Sequence, residues 1–269
     1  MIRTYDFEQR SAEWEAARLG MVTASMVGRL VSVGPAPAES TDCPVCHQQP
    51  GDPCISLSRK EPTPIKVPHD RRVVAASTLP PVYSPSTSDT AKATTALLVA
   101  ERITGFSDPV FVNRDMERGV LDEPAAREVY SKTWAPVEQV GFIVRDDWGF
   151  SIGYSPDGLV GEDGLIEVKS RRSGIQLLSV LADEVPAANM AQIQAGLLVS
   201  GRQWCDYVSF SGGMALWRKR VFPDPEWQRA IVEAVAEFER NAAQMLADYR
   251  EAVEGLPMTE RSTYDLEIE

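Results

Sequence analysis

The chain has 269 residues, 43% hydrophobic and 25% charged, which suits a globular protein with one sizeable core and room for a small added module. No apolar run approaches the ~18–20 residues of a membrane helix, and MIRTYDFEQRSAEW lacks the basic-then-apolar order of a secretory signal, so no membrane and a cytoplasmic location are expected. The net charge of −12 excludes a chain-wide basic footprint but not a local one: residues 59–72 carry five bases against two acids, and KSRR (169–172) and RKR (218–220) add more.

In chain order, SAEWEAARLG (11–20) has the spacing of a short helix stopped by Gly20, and TASMVGRLVS (23–32) that of a second, capped by Thr23 or Ser25. From Val33 to Pro85 the composition changes, with eleven prolines, both histidines and three of the four cysteines. This predicts a small loop-rich unit, 34–85, inserted into a larger domain formed by 1–33 and 86–269. Helices are expected at 86–105 and at 115–134, where Pro124 requires a helix start or a kink. Three short strands follow in VEQVGFIVR, FSIGYS and LIEVKS, then a helix at 189–201, strands at 204–210 and 215–222, and a long amphipathic helix at 225–253. The order predicts an α/β fold, a mixed sheet wrapped by helices.

The stretch SPDGLVGEDGLIEVKS (155–170) carries the densest chemistry. Strand side chains alternate, so Glu167 and Lys169 share a face about 7 Å apart while Val168 faces away. A hairpin turning through GEDG returns Asp157 alongside Glu167. Two carboxylates so close repel unless a cation intervenes, and oxygen donors without His or Cys suit Mg²⁺ or Mn²⁺. Lys169 beside them would orient or deprotonate a water, or offset charge on a phosphate. Metal-assisted phosphodiester hydrolysis is the expected reaction. An isolated Glu-x-Lys strand is ordinarily a solvated sheet face; Asp-x9-Glu-x-Lys across a hairpin is far more specific.

That pattern, with WEAARLGMVTAS (14–25), MERGVLDEPAAR (116–127) and NMAQIQAGLLVSGRQW (189–204) in the same order, resembles the phage lambda-type 5′→3′ exonucleases, also called alkaline exonucleases or YqaJ-like viral recombinases, among the PD-(D/E)XK nucleases. The resemblance implies a restriction-endonuclease-like sheet and a catalytic set of Asp157, Glu167, Lys169 and Gln192. It implies metal ligation by Asp157, Glu167, the Val168 carbonyl and Glu123, and capture of a terminal 5′-phosphate by Arg18 and Ser25. It further implies double-stranded DNA ends as substrate, 3′ overhangs as product, a single-strand annealing partner, a ring-shaped homotrimer, and a phage or prophage origin. Asn189 stands where relatives often have an aromatic residue.

The insert offers Cys43, Cys46, Cys54 and His69, spaced C-x2-C-x7-C-x14-H. Three thiolates and an imidazole make a complete tetrahedral set for a structural Zn²⁺, and the segment resembles short CPxC…PGxPC…PH zinc motifs of phage and actinobacterial proteins. His47 competes for the fourth position but adjoins Cys46. An iron–sulfur cluster is the rival and needs Cys205 to join; Cys205, in a strand, otherwise reads as core. Arg59, Lys60, Lys66, Arg71 and Arg72 would grip DNA, hold a partner, or only solubilise the unit. Two other functions compete with the exonuclease: an endonuclease on the same scaffold, which would cut closed circles, and a non-catalytic zinc-containing DNA-binding protein, against which Asp157, Glu167 and Lys169 weigh.

Overall fold

The computed structural model describes residues 1–58, 61–109 and 113–260. Arg59 and Lys60, named above, lie outside the described residues.

Local chemistry sets most helix ends. Helix α1 (Ala12–Arg18) starts where Ser11 Oγ accepts the Trp14 N–H at 3.3 Å, and Gly20, at φ +64°, turns the chain out of it. Helix α4 (Asp89–Thr104) is capped by Ser88 and closed by left-handed Gly105. Helix α5 (Arg114–Thr133) is capped by Asn113, whose Oδ1 accepts two backbone N–H groups at 3.0 Å. Pro124 lies in the interior of α5 rather than at a start, which removes one helical donor beside Glu123. Helix α7 (Ala187–Ser200) ends at left-handed Gly201, and α8 (Pro225–Ala252) is capped by Asp224.

The expected helix over 23–32 is mostly absent. Strand β2 (Val22–Thr23) leads into a four-residue α2 (Ala24–Val27), and Val31–Gly34 forms β3, paired antiparallel with β4 (Val82–Pro85). Cross-strand pairing of the β-branched residues there overrides helical spacing. Thr23 occupies the cap position without capping; its Oγ1 lies 3.2 Å from Ser25 Oγ instead. Between β3 and β4 the described residues form a 3-10 turn (Ala38–Ser40) and α3 (Asp70–Ala76).

The α/β class with mixed strands stands, but beside the β3–β4 ribbon the described strands divide between two four-stranded sheets. One has the order β1-β5-β6-β2, where β1 is Ile2–Tyr5, β5 Phe142–Arg145 and β6 Ile152–Tyr154. The other has the order β10-β9-β8-β7, built from β7 (Gly158–Val160), β8 (Gly164–Ser170), β9 (Trp204–Phe210) and β10 (Trp217–Val221). Only β2–β6 and β8–β9 are parallel. Strand β8 is central to the site. Its even positions, Ile166 and Val168, pack with Ala126 and Tyr130 of α5. On the opposite face Leu165 joins the main core formed by α7, α4 and α8. Helix α7 is therefore apolar nearly all round, with Ile193, Leu197 and Val199 buried.

Helix α6 (Ser173–Ala182) reverses the usual pattern and was not expected from sequence. Gln176 and Ser179 face inward, where Gln176 Nε2 donates to the carbonyls of Ser209 and Ala215 at 3.0 and 2.9 Å. Ile175, Leu178 and Leu181 face outward.

Candidate active site and zinc centre

The hairpin β7–β8 registers Gly158 against Ile166 and brings Asp157 back to β8, where its Oδ2 accepts the Val168 N–H at 2.6 Å. Glu167, 1% exposed, points to the opposite face from Val168. Its Oε1 accepts from Lys169 Nζ at 2.7 Å and from Gln192 Nε2 at 2.5 Å, and its Oε2 lies 3.3 Å from the Tyr154 hydroxyl. Lys169 Nζ also donates to Gln192 Oε1 at 3.1 Å, closing a ring of three side chains from β8 and α7. Tyr154 reaches this ring because Gly196 of α7 lies beneath it; a Cβ there would stand 2.8 Å from the ring.

A cavity of about 190 Å³ opens beside this ring and is lined by Arg18, Ser25, Glu123, Asp157 and Gln192, with Arg10, Trp14 and Tyr154 among its other walls. Five residues singled out in four sequence-distant segments thus share one pocket. Arg18 stacks on Trp14, its guanidinium carbon 3.8 Å from the ring centroid, and Trp14 Nε1 donates to Ser155 Oγ at 2.9 Å. Arg18 has no ion-pair partner among the described residues; burial lowers its pKa to about 10, against the pull of Glu101 and Glu15, so it keeps its charge at neutral pH.

Electrostatics confirm the crowding. Burial first, then the charges of Glu167 and Glu123, push the Asp157 carboxyl well above the carboxylate range, opposed by Lys169 and the Val168 N–H. Burial lowers the proton affinity of Lys169, but Glu167 and Asp157 outweigh it and hold it as an ammonium. Glu123 is turned toward cations rather than toward the other acids: Arg127, one turn on, pairs with its Oε1, and Arg10 Nη2 lies 3.7 Å from Oε2. Arg127 also donates to the Asp157 carbonyl at 3.3 Å. Arg10, Arg127 and Tyr154 were not read from the sequence, where nothing distinguishes them from surface residues.

The basic run 218–220 proves to be internally neutralised. Asp206, fully buried on β9, accepts from Arg220 Nε at 2.8 Å, from the Tyr130 hydroxyl at 2.7 Å, and from Arg218. Lys219 pairs with Asp183 at 2.6 Å. Arg172 likewise pairs with Asp115 at 2.8 Å. The Asp206 hub ties α5, which carries Glu123, to the sheet that carries Glu167.

In the insert, Cys43, Cys46, Cys54 and His69 place one ligand atom each within 4.8 Å of one another. Among the described residues this is the only group of three or more His, Cys, Asp or Glu gathered closely enough to hold an ion. His69 fills the fourth position, not His47, and Cys205 is buried in the main core away from the group, which removes the cluster reading that needed it. The donor chemistry fits Zn²⁺: burial opposes ionisation of Cys46, yet the N–H groups of Ile55 and Gln48 bring that thiol down to about 6. Arg72 does not face solvent as a DNA-gripping residue would. It is fully buried inside the knuckle, with Nε donating to Thr41 O at 3.0 Å, Nη1 to Asp52 O at 2.7 Å and Cys54 Sγ at 3.4 Å, and Nη2 to Gln49 O at 2.8 Å. Arg71, its neighbour, is exposed.

Residues 71–203 match the YqaJ-like viral recombinase domain, and residues 9–88 match a phage zinc finger domain. No curated protein matches significantly. Among solved structures, the alkaline exonuclease LHK-Exo from Laribacter hongkongensis superposes with a TM-score of 0.65 at 23% identity, covering 92% of this chain and 100% of that one. The same exonuclease in complex with dAMP gives 0.61 at 24% identity, covering 90% and 100%. At this identity the likeness establishes the shared fold. The chain therefore contains a segment similar to the YqaJ-like viral recombinase domain and, overlapping it over residues 71–88, one similar to a phage zinc finger domain.

Proposed function

We propose that the protein is a divalent-metal-dependent nuclease that degrades the 5′-ended strand of linear duplex DNA and leaves a 3′ overhang for recombination. The observation that supports this most is that Arg18, Ser25, Glu123, Asp157 and Gln192 line one cavity. An end-binding cation and a hydrolytic acid cluster in one small pocket favour a terminal phosphodiester over an internal one. LHK-Exo, which shares the fold, is an exonuclease and has been solved with a mononucleotide.

Asp157, Glu167, Glu123 and the Val168 carbonyl would hold Mg²⁺ or Mn²⁺. The donors are hard oxygens, and although burial is the first cause of the raised proton affinity of Asp157, the charges of Glu167 and Glu123 add to it, and a cation would offset that part. When bound, such an ion supplies Lewis acidity and a more acidic water. Lys169, an ammonium held between Glu167 and Gln192, orients the attacking water and offsets charge developing on the phosphate. Gln192 fixes the Glu167 carboxylate through one amide atom and Lys169 through the other. Arg18, stacked on Trp14 and free of carboxylate partners among the described residues, receives the 5′-phosphate with Ser25. We also propose a ring-shaped homotrimer around DNA and transfer of the overhang to a single-strand annealing protein, with the zinc unit (34–85) as a structural insertion.

The test is time-resolved digestion of end-labelled linear duplexes and covalently closed circles, with and without Mg²⁺. Mg²⁺-dependent release of nucleotides from 5′ ends, with circles intact, is expected. Nicked circles would establish an endonuclease, and bound but uncut DNA a non-catalytic protein. Arg18→Ala slows digestion of 5′-phosphorylated ends about tenfold or more, the scale of a lost charged hydrogen bond, and abolishes the advantage over 5′-hydroxyl ends.

A further inference from the structure

The face of β8 that carries Glu167 and Lys169 continues beyond the strand's last named residue. The Arg171 N–H donates to Phe210 O at 2.8 Å, so the backbone is still paired with β9 there. Alternation then places Arg171 after Lys169 on the α7 side. The contacts repeat one step along: Lys169 Nζ meets Gln192, while Arg171 Nη2 donates to Asn189 Oδ1 at 2.7 Å, one turn earlier on α7. Nη2 also donates to the Tyr207 hydroxyl at 2.7 Å.

Both partners of Arg171 are neutral. Among the described residues no carboxylate comes within 4 Å of its nitrogens, whereas Arg118, Arg127, Arg172, Arg218 and Arg220 nearby are all ion-paired. Its Nε is buried without any hydrogen-bond partner. In a chain of net charge −12, a guanidinium held by an amide and a phenol beside the catalytic ring keeps a full positive charge that the fold itself leaves uncompensated.

We propose that Arg171 is a phosphate-binding residue that holds the DNA backbone phosphate next to the one cleaved, with Asn189 and Tyr207 aiming it. This rests on the nuclease reading of the Asp157–Glu167–Lys169 site. The ligand is a phosphodiester of the strand being degraded, lying along the rim of β8 and α7.

The test measures binding of a 5′-phosphorylated duplex to the full zinc-loaded chain across a salt series, in a Glu167→Gln background with Mg²⁺ so that DNA survives. Arg171→Gln weakens binding about tenfold and lowers the slope of log affinity against log salt by about one, the signature of one phosphate contact. Asn189→Asp leaves Arg171 in place but gives it a carboxylate; it weakens DNA binding similarly while the melting temperature holds or rises. A merely structural Arg171 predicts the opposite for this variant, with a firmer fold and unchanged DNA binding. An unchanged salt slope in a folded Arg171→Gln, or parental binding by Asn189→Asp, overturns the proposal. If Arg171→Gln does not fold, Asn189→Asp decides. Failure of the underlying reading looks different: Glu167→Gln would cut DNA as fast as its parent, or the parent would not bind DNA ends.

Discussion

The zinc knuckle and the carboxylate cleft are both clusters of metal-type ligands, yet they are built in opposite ways. In the knuckle the ligand atoms already converge, and a buried guanidinium, Arg72, compensates the thiolates while bracing three loop carbonyls. In the cleft each acid is engaged by a protein group: Glu167 by Lys169 and Gln192, Glu123 by Arg127 and Arg10, Asp157 by a backbone N–H. The knuckle has too little apolar content to fold around anything but its ion, so its ligands must meet. The cleft is stabilised by the cores behind it and can hold its acids on partners that a substrate or cation can displace.

Four measurements would break or sharpen that contrast. Removing zinc should have the largest effect, because structural zinc contributes roughly 10 kcal/mol or more of apparent binding energy. The expected result is new proteolytic cleavage confined to residues 34–85, with one zinc per chain recovered on repletion. A knuckle that stays protease-resistant without metal would erase the distinction. Next, Glu167→Gln should lower DNA cleavage roughly 10³-fold, the scale for losing a preorganised charge at a reacting centre, with zinc content and melting temperature unchanged. Cleavage above a tenth of the parental rate would remove Glu167 from the mechanism.

Third, Arg72→Met should weaken zinc retention about 10–100-fold, as loss of a group supporting a metal ligand does, measured by competition with a chromogenic chelator. Arg71→Met, on the exposed side of the same helix, should leave it unchanged. Equal effects would mean that α3 matters only as a scaffold. The smallest effect is in pH. Mn²⁺ binding at the cleft requires ionised Asp157, whose pKa burial, Glu167 and Glu123 raise. Affinity should therefore be flat above that raised pKa and fall about tenfold per pH unit below it, one proton being taken up as the ion leaves. Asp157→Asn should flatten the slope. A pH-independent affinity through the mildly acidic range would show that Asp157 is ionised without help.

What could be read in advance divides along physical lines. The hairpin, Glu167 and Lys169 on one face, and the helix carrying Gln192 were legible because period-two alternation and glycine stops are local properties. The cysteine spacing likewise announced its ligand set. Arg72 was misread because RR at 71–72 gives no hint of which arginine the seven-residue α3 turns inward; only the loops that close over it decide. RKR at 218–220 read as a basic surface because its neutralising partner, Asp206, lies on the adjacent strand. Helix α6 escaped notice because its buried face is polar and its exposed face is leucine-rich, the reverse of the pattern that reveals helices. Long-range pairing, not local propensity, also turned both ends of 23–32 into strand.

The two-stranded ribbon β3–β4 has a consequence for the residues it brackets. Gly34 and Val82 are direct cross-strand partners, and Tyr83 stacks 4.4 Å from Trp227 of the long helix. Exit and return points so close together could be rejoined by a tight turn of a few residues. The ribbon thus works as a closed clasp: a chain in which such a turn replaces residues 35–81 should keep the β3–β4 register and the packing of Tyr83 on Trp227.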